Sequence, residues 1–407
     1  MTADTYRTEI PSGVPGKVKG LSVVSLFNDV ASEMVYPLLP AFITRTLGGG
    51  ALALGVLDGA AELTASLVKW VSGRLADRPG RQKPLILWGY ALAVLVRPLI
   101  SGATSALQVV GLRVVDRIGK GLRTPPRDAM IAEITAPAAR GRAFGFHRAA
   151  DHFGAVLGSV VAWWLLSRGT DVRNVIGWSV LPGMIAFVML AVVLRGARGE
   201  GRTDERADRI RAESSILRPD RPTGRPSDRF WPPILGLTAL TFFRLPEALL
   251  ILRLQDRGVA VAAVPLVWGA LHVVRSLSSY PGGWLSDHLG PRRVVAAGGL
   301  LFAVVALLFG TPVAPLHAIL LFLALGLVAG LTESGERAVV ARLATVRVGR
   351  AFGSYHAAVG VAALPAGLIF GSLYQSSGAR SALWGSAAGM GLAVAAWLVI
   401  SPPDEDR

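Results

Sequence analysis

The chain has 407 residues, 52% of them hydrophobic and only 17% charged, with a mean hydropathy of +0.49. A soluble chain carries charge on about a quarter of its residues, so the composition argues against a soluble globular protein. The absence of cysteine excludes disulfides, thiolate metal sites and cysteine nucleophiles. The net charge of +15 would suggest nucleic acid in a soluble domain, but here it is spread over alternating loops, and no nucleic-acid partner is expected.

A bilayer core about 30 Å thick needs about 20 apolar residues per helix. Twelve such spans are predicted, at 19–46, 51–72, 83–103, 106–133, 142–167, 173–195, 231–255, 261–284, 293–312, 315–343, 350–376 and 379–400. Lipid offers no partner to open backbone groups, so the predicted class is an all-α polytopic protein of twelve transmembrane helices. The polar stretch 196–229 divides the spans into six and six. The expected organisation is an N-terminal tail (1–18), a first bundle (19–195), a linker (196–229), a second bundle (230–400) and a C-terminal tail (401–407).

Lys17, Lys19, Arg74, Arg78, Arg81, Lys83, Arg140, Arg142, the arginines of 195–229, Arg292, Arg293, Arg347 and Arg350 fall on one side. The opposite loops hold only Arg45, Arg168, Arg173, Arg257 and Arg380. The positive-inside rule makes the rich side cytoplasmic, so both termini are expected there, in a multi-pass protein of the cytoplasmic (inner) membrane. No short apolar core with a cleavage site opens the chain, so the first span is expected to be retained as an anchor.

Charge inside spans carries the functional signal, because an ionisable residue at mid-membrane costs at least about 2.5–3.5 kcal/mol. Asp29 and Glu33 lie one turn apart in span one. Asp58 and Glu62 follow in span two. Span four holds DRIGKGLRTPPRD (116–128), with Asp116, Arg117, Lys120, Arg123, Arg127 and Asp128 on an arc of about 140°. Pro125-Pro126 predicts a helix break, with DRIGKG inside the bilayer and TPPRD at its cytoplasmic edge. His147, Arg148, Asp151 and His152 lie in span five, Arg244 and Glu247 in span seven, Arg275 in span eight, Glu333 and Glu336 in span ten, and His356 in span eleven. Gly326, Gly330, Gly367 and Gly371 have the small-residue spacing of close helix packing. Trp163, Trp164, Trp268 and Trp284 are candidates to face substrate, with interfacial anchoring near the membrane ends the favoured reading.

The second half repeats the first. Gly73, Asp77, Gly80 and Arg81 recur as Gly283, Asp287, Gly290 and Arg292, and GRAFG at 141–145 recurs at 349–353. At the second offset Thr124 and Asp128 fall on Thr332 and Glu336, whereas Asp116, Arg117, Lys120 and Arg123 fall on Ala324, Leu325, Val328 and Leu331. Charge present in both halves suits a cytoplasmic gate, namely Gly73, Asp77, Arg78, Gly80, Arg81, Arg127, Asp128, Gly283, Asp287, Arg292, Glu333 and Glu336. In that gate Gly73 allows a close helix approach or a tight end, Gly80 a positive φ, and Asp77 accepts from helix N-terminal N–H groups and pairs with cytoplasmic arginine. Charge confined to one half suits substrate or proton binding, by Asp29, Glu33, Asp116, Arg117, Lys120, Arg123, His147, Arg148 and Asp151, with Glu247 facing them. A buried ion-pair network that only fixes helix register is the competing reading of the same residues.

GRLADRPGRQ (73–82) resembles the loop signature of the major facilitator superfamily, and GGWLSDHLGPRR (282–293) its weaker echo. RIGKG (117–121) is similar to the fourth-span pattern of proton-coupled members. The resemblance implies two six-helix bundles related by a pseudo-two-fold axis, a central cavity lined by spans one, four, seven and ten, and alternating access. It implies a small-molecule substrate, no cofactor and no enzymatic activity. Nothing resembles a phosphate-binding loop. The expected function is proton-coupled export of a small organic compound by a monomer. In that scheme Asp29, Glu33 and Arg117 form a protonatable cluster, since a nearby cation favours a carboxylate's charged form, and a relay at His147 or His152 competes with the plainer reading of each as a satisfied bundle histidine. Transport of an organic anion or metal chelate, a metal site at His147, Asp151 and His152, and a non-transporting receptor are the alternatives.

Overall fold

The computed structural model describes residues 14–78, 80–136, 139–195, 230–343 and 348–401, with only the backbone of 348–350. The 196–229 linker, residues 1–13 of the first tail and 402–407 of the last lie outside the described residues.

Among the described residues the helices form twelve rods. α1 is Gly16–Val35, carried on through the short turns Tyr36–Leu38, Leu39–Ala41 and Phe42–Thr46. α2 is Ala51–Ala76, α3 Gln82–Leu99, α4 Ala106–Glu133, α5 Arg140–Ser167 and α6 Val172–Arg195. α7 is Trp231–Phe242 followed by Glu247–Asp256, α8 Val264–Leu289, α9 Pro291–Gly310 and α10 Pro315–Leu343. The helical stretch Val348–Ile400 leaves helical geometry at Gly378 (φ 82°), which divides it into α11 (348–377) and α12 (379–400). Among the described residues nine helices are long and apolar enough to cross a membrane, the undivided α11–α12 counting as one. α1 and α4 fall outside that set because charged residues interrupt their apolar sequence, Lys17, Lys19, Asp29 and Glu33 in α1 and a denser series in α4.

Each half packs by the same scheme, α1 on α5 and α6 and α4 on α2 and α3, matched by α10 on α8 and α9. Gly20 admits Val193 of α6 against α1, as Gly236 admits Trp397 of α12 against α7. The halves meet along α2–α11 and α5–α8. At Gly55 and Gly367 a methyl on either residue would run into the other's carbonyl oxygen, so only glycine permits this approach. The halves also meet where Glu247–Asp256 packs against Leu39–Ala41 and α2. That end lies opposite the Gly73–Arg81 and Gly283–Arg292 loops, and the two ends are called here the far face and the motif face.

The expected break at Pro125-Pro126 does not occur, because α4 runs unbroken through both prolines to Glu133. A proline lacks the N–H that would bond the carbonyl four residues earlier. For Pro125 that carbonyl belongs to Gly121, and the Ser72 hydroxyl of α2 donates to it at 2.7 Å. A neighbouring helix thus replaces the lost bond, the usual way a membrane helix tolerates proline.

Candidate functional site

The charges of α4 do not share one surface. Asp116, Arg123 and Arg127 are buried within the first half. Asp116 accepts from Arg97 of α3 at 2.9 Å and from Arg113 at 3.3 Å, and Arg97 also donates to the Asn28 carbonyl of α1 at 2.8 Å. Arg123 donates to Gly89 O and lies over the Tyr90 ring. Arg127 donates to Ser25 Oγ at 2.9 Å and pairs with its neighbour Asp128 at 3.1 Å. Lys120, by contrast, is exposed, between α1 and α2. The arc of charge straddles the bundle wall, so one edge holds helices together and the other meets water.

Among the described residues no ion pair joins Arg117 or Lys120 to Asp29 or Glu33, and the contacts of Glu33 run instead to Trp268 and His272 of α8. Asn28 Nδ2 donates to Asp29 at 3.0 Å. His147 is buried, with Nδ1 3.2 Å from Ser22 Oγ and Nε2 3.8 Å from Asp151. His152 turns instead to His272 of α8, with ring centroids 6.3 Å apart. His147, Asp151 and His152 therefore do not converge as a metal site would require, and no other such group occurs among the described residues. Arg148 is exposed and acts electrostatically on Glu333 and Arg337 across the opening.

The second half supplies two ionic clusters. Arg275 donates to Glu247 at 2.9 Å and stands 3.7 Å from Glu333. Arg244 pairs with Glu336 at 3.3 Å, and the Tyr355 hydroxyl donates to the same carboxylate at 2.6 Å. Arg337 reaches Glu333 at 3.4 Å. Glu333 and Glu336, assigned from sequence to the gate, stand in this conformation in two clusters within their own half, Glu333 with Arg275, Glu247 and Arg337, and Glu336 with Arg244 and Tyr355. Arg244, Glu247 and Arg275 also border a cavity of about 80 Å³ with Leu271, Phe302 and Phe322. Ligand pockets usually enclose about 300–1,000 Å³, so this cavity is a side chamber of the opening rather than a complete pocket.

Trp268, expected at the membrane interface, is buried between the halves, and its indole N–H donates to Glu33 Oε2 at 2.8 Å. His272 stands edge-on to it, 3.9 Å from the same carboxylate. Two further bonds cross between halves at the far face, from Ala248 N to Asp58 (2.8 Å) and from Leu52 N to Gln375 (3.0 Å).

At the motif face Gly80 (φ 74°) and Gly290 (φ 87°) make the turns, with Gly80 as expected. Asp77 and Asp287 are exposed, and their side chains make no hydrogen bond or ion pair among the described residues. Arg78 and Arg81 are exposed too. Gly73 has only ordinary contact with Pro125, so it does not make the close approach expected of it, and Gly283 is open. Their neighbours make it instead, Ser72 against Gly121 O and Gly282 against Gly330. Arg292 binds Ser401 and the Leu398 carbonyl at the end of α12, inside its own half. The loop motifs of the two halves thus stand apart here, and the halves are joined at the opposite end.

Sequence reasoning missed Arg97, Arg113 and the role of Trp268. Arg97 and Arg113 each sit within a predicted apolar span, a usable signal on the cost of buried charge. Nothing in the sequence distinguishes Trp268 from an interfacial tryptophan.

The model of the Major Facilitator Superfamily matches residues 21–274 and again 235–407. An uncharacterised protein of Mycobacterium tuberculosis is 31% identical over 87% of this chain and 86% of its own. An uncharacterised MFS-type transporter of Methanocaldococcus jannaschii is 28% identical over 90% of each. The multidrug resistance protein MdtH of Photorhabdus laumondii is 32% identical over 33% of each chain. Two solved structures share the fold: the D-xylose-proton symporter (TM-score 0.71, 16% identity, 95% of this chain and 96% of that) and a nucleoside transporter NupG mutant (TM-score 0.73, 11% identity, 95% and 100%). With twelve rods in two matching halves around a charged opening, the chain belongs to the Major Facilitator Superfamily and is a multi-pass membrane transporter.

Proposed function

We propose that the chain exports a small organic compound across the cytoplasmic membrane by alternating access, in exchange for protons. The motif face is then cytoplasmic, as its arginines and lysines require under the positive-inside rule, and both termini lie on that side. The carrying observation is Glu33, a carboxylate of α1 with Asp29 one turn away, which is bonded to Trp268 of the other half at 2.8 Å and stands 3.9 Å from His272, while Ala248 is bonded to Asp58 at the far face. A carboxylate that shares a cation in one state and loses it in the other exchanges a proton with each cycle. The partial likeness to a multidrug resistance protein supports export.

The test is a thermal-shift screen of the purified protein against small organic cations, neutral compounds and anions, followed by liposome flux of each hit with and without a pH gradient. Flux that follows the gradient supports the reading, and flux indifferent to it overturns the proton part. Transport of an organic anion or metal chelate is the second reading, favoured by the surplus of cations in α4, among them the exposed Lys120. Hits confined to anions would select it.

A further inference from the structure

α7 is broken where the sequence reads FFRLPEALL (242–250). Proline drives the residue before it out of helical geometry, so Trp231–Phe242 ends and a second helix, Glu247–Asp256, begins after Pro246. The first N–H groups of such a helix have no partner within it. One of them, from Ala248, donates at 2.8 Å to Asp58 Oδ2 of α2, in the other half. The same carboxylate accepts from the Tyr36 hydroxyl of α1, at 3.0 and 3.1 Å. The Arg113 guanidinium lies 4.8 Å from the Tyr36 ring centre, and Arg113 is held in turn by Asp116. Every group of the first half in this chain is fixed by the next, so Asp58 is presented rigidly to the start of the helix. A carboxylate at a helix N-terminus also gains from the helix dipole.

The other side of that turn is tied to the central opening. Glu247, next to Ala248, accepts from Arg275 at 2.9 Å, and Arg275 borders the chamber described above. One helical turn therefore carries two consecutive attachments, its backbone to the first half at the far face and its acid to the wall of the opening.

We propose that Asp58 is the latch of the far face and that the break at Leu245-Pro246 is the hinge on which it acts. This rests on the alternating-access reading above and adds to it the residue that keeps the far end shut. Release of Ala248 from Asp58 lets Glu247–Asp256 swing away from α1 and α2, while α2–α11 stays joined by its glycines. A solute that disturbs Glu247 and Arg275 moves the same turn, which gives the opening a mechanical route to the gate.

Because the chain contains no cysteine, spin labels at Thr46→Cys and Ala260→Cys, exposed far-face positions in opposite halves, report the gap alone. In the full-length protein in nanodiscs, Asp58→Ala is expected to raise the ratio of far-face-open to closed molecules on the order of tenfold, the effect of one charge-assisted hydrogen bond. Asp58→Asn, which keeps the volume and one acceptor oxygen, gives a smaller rise and serves should Asp58→Ala fold poorly. A lower melting temperature with an unchanged distance distribution in the folded variants would overturn the latch. If wild-type protein moves no solute while Asp58→Ala still opens the gap, alternating-access transport is lost and the latch stands.

Discussion

Glu33 of α1 accepts the indole N–H of Trp268 of α8 at 2.8 Å, a side-chain bond from one half of the protein to the other. Hydrogen bonds to charged groups contribute about 1.5–3 kcal/mol, enough to bias which face is closed. Trp268→Phe keeps the ring against Tyr36 and removes the donor. Its flux in liposomes is expected to fall by about tenfold, the change that one such bond makes in an equilibrium, with the detergent melting curve little altered. Wild-type flux in this variant would show that the bond does not govern the cycle.

Asp29→Asn and Glu33→Gln are expected to retain binding of a transported compound while their flux loses its response to a pH gradient. Lys120→Ala, at an exposed position, is expected to weaken binding by at least about tenfold, as the loss of one charge-assisted contact does, without loss of thermal stability. Calorimetry on the purified variants reads the first quantity and proteoliposome flux the second. Gradient-dependent flux in both acid variants would remove Asp29 and Glu33 from the coupling.

The Arg97–Asp116 pair has a different role. Removing one partner of a buried ion pair costs about 3–5 kcal/mol because the other charge is stranded. Asp116→Ala and Arg97→Ala should each lower the melting temperature sharply. A double change of Arg97 to Met and Asp116 to Leu should recover much of it, since apolar packing of similar volume often serves as well. Stable single variants without activity would instead place Asp116 in the transport chemistry.

The Ser72 hydroxyl stands in for the backbone bond that Pro125 cannot make. Ser72→Ala leaves the Gly121 carbonyl unpaired, at a cost of about 1–3 kcal/mol. In a Pro125→Ala background the helix regains its own bond, and the same change should cost little. Thermal unfolding of the four proteins gives the coupling directly, and additive effects would show that the two residues act independently.

Some of this was legible before the fold. The apolar spans, the repeat of Gly73–Arg81 in Gly283–Arg292 and the sided distribution of Arg and Lys follow from what a bilayer demands of length, backbone satisfaction and charge, and each is local in the chain. So is the turn at Gly80. The partners of span four were not legible, because a 140° arc on one helix says nothing about which neighbour meets each edge. Asp116 was grouped with Lys120 from the sequence, yet Arg97 of α3 takes it into the bundle while Lys120 faces the opening.

The sequence by itself determined a twelve-span, twofold-repeated membrane protein with ionisable groups in its first half, because hydrophobic length and the cost of buried charge act residue by residue. Only the tertiary structure decided what those charges do. Packing of α3 against α4 made Asp116 part of a buried ion-pair cluster, a serine on α2 replaced the backbone bond that Pro125 cannot make, and the approach of α7 and α8 to the first half turned Asp58, Glu33 and Trp268 into contacts between the halves. Such contacts depend on which helices become neighbours, and helix neighbours are set by close packing across long stretches of sequence.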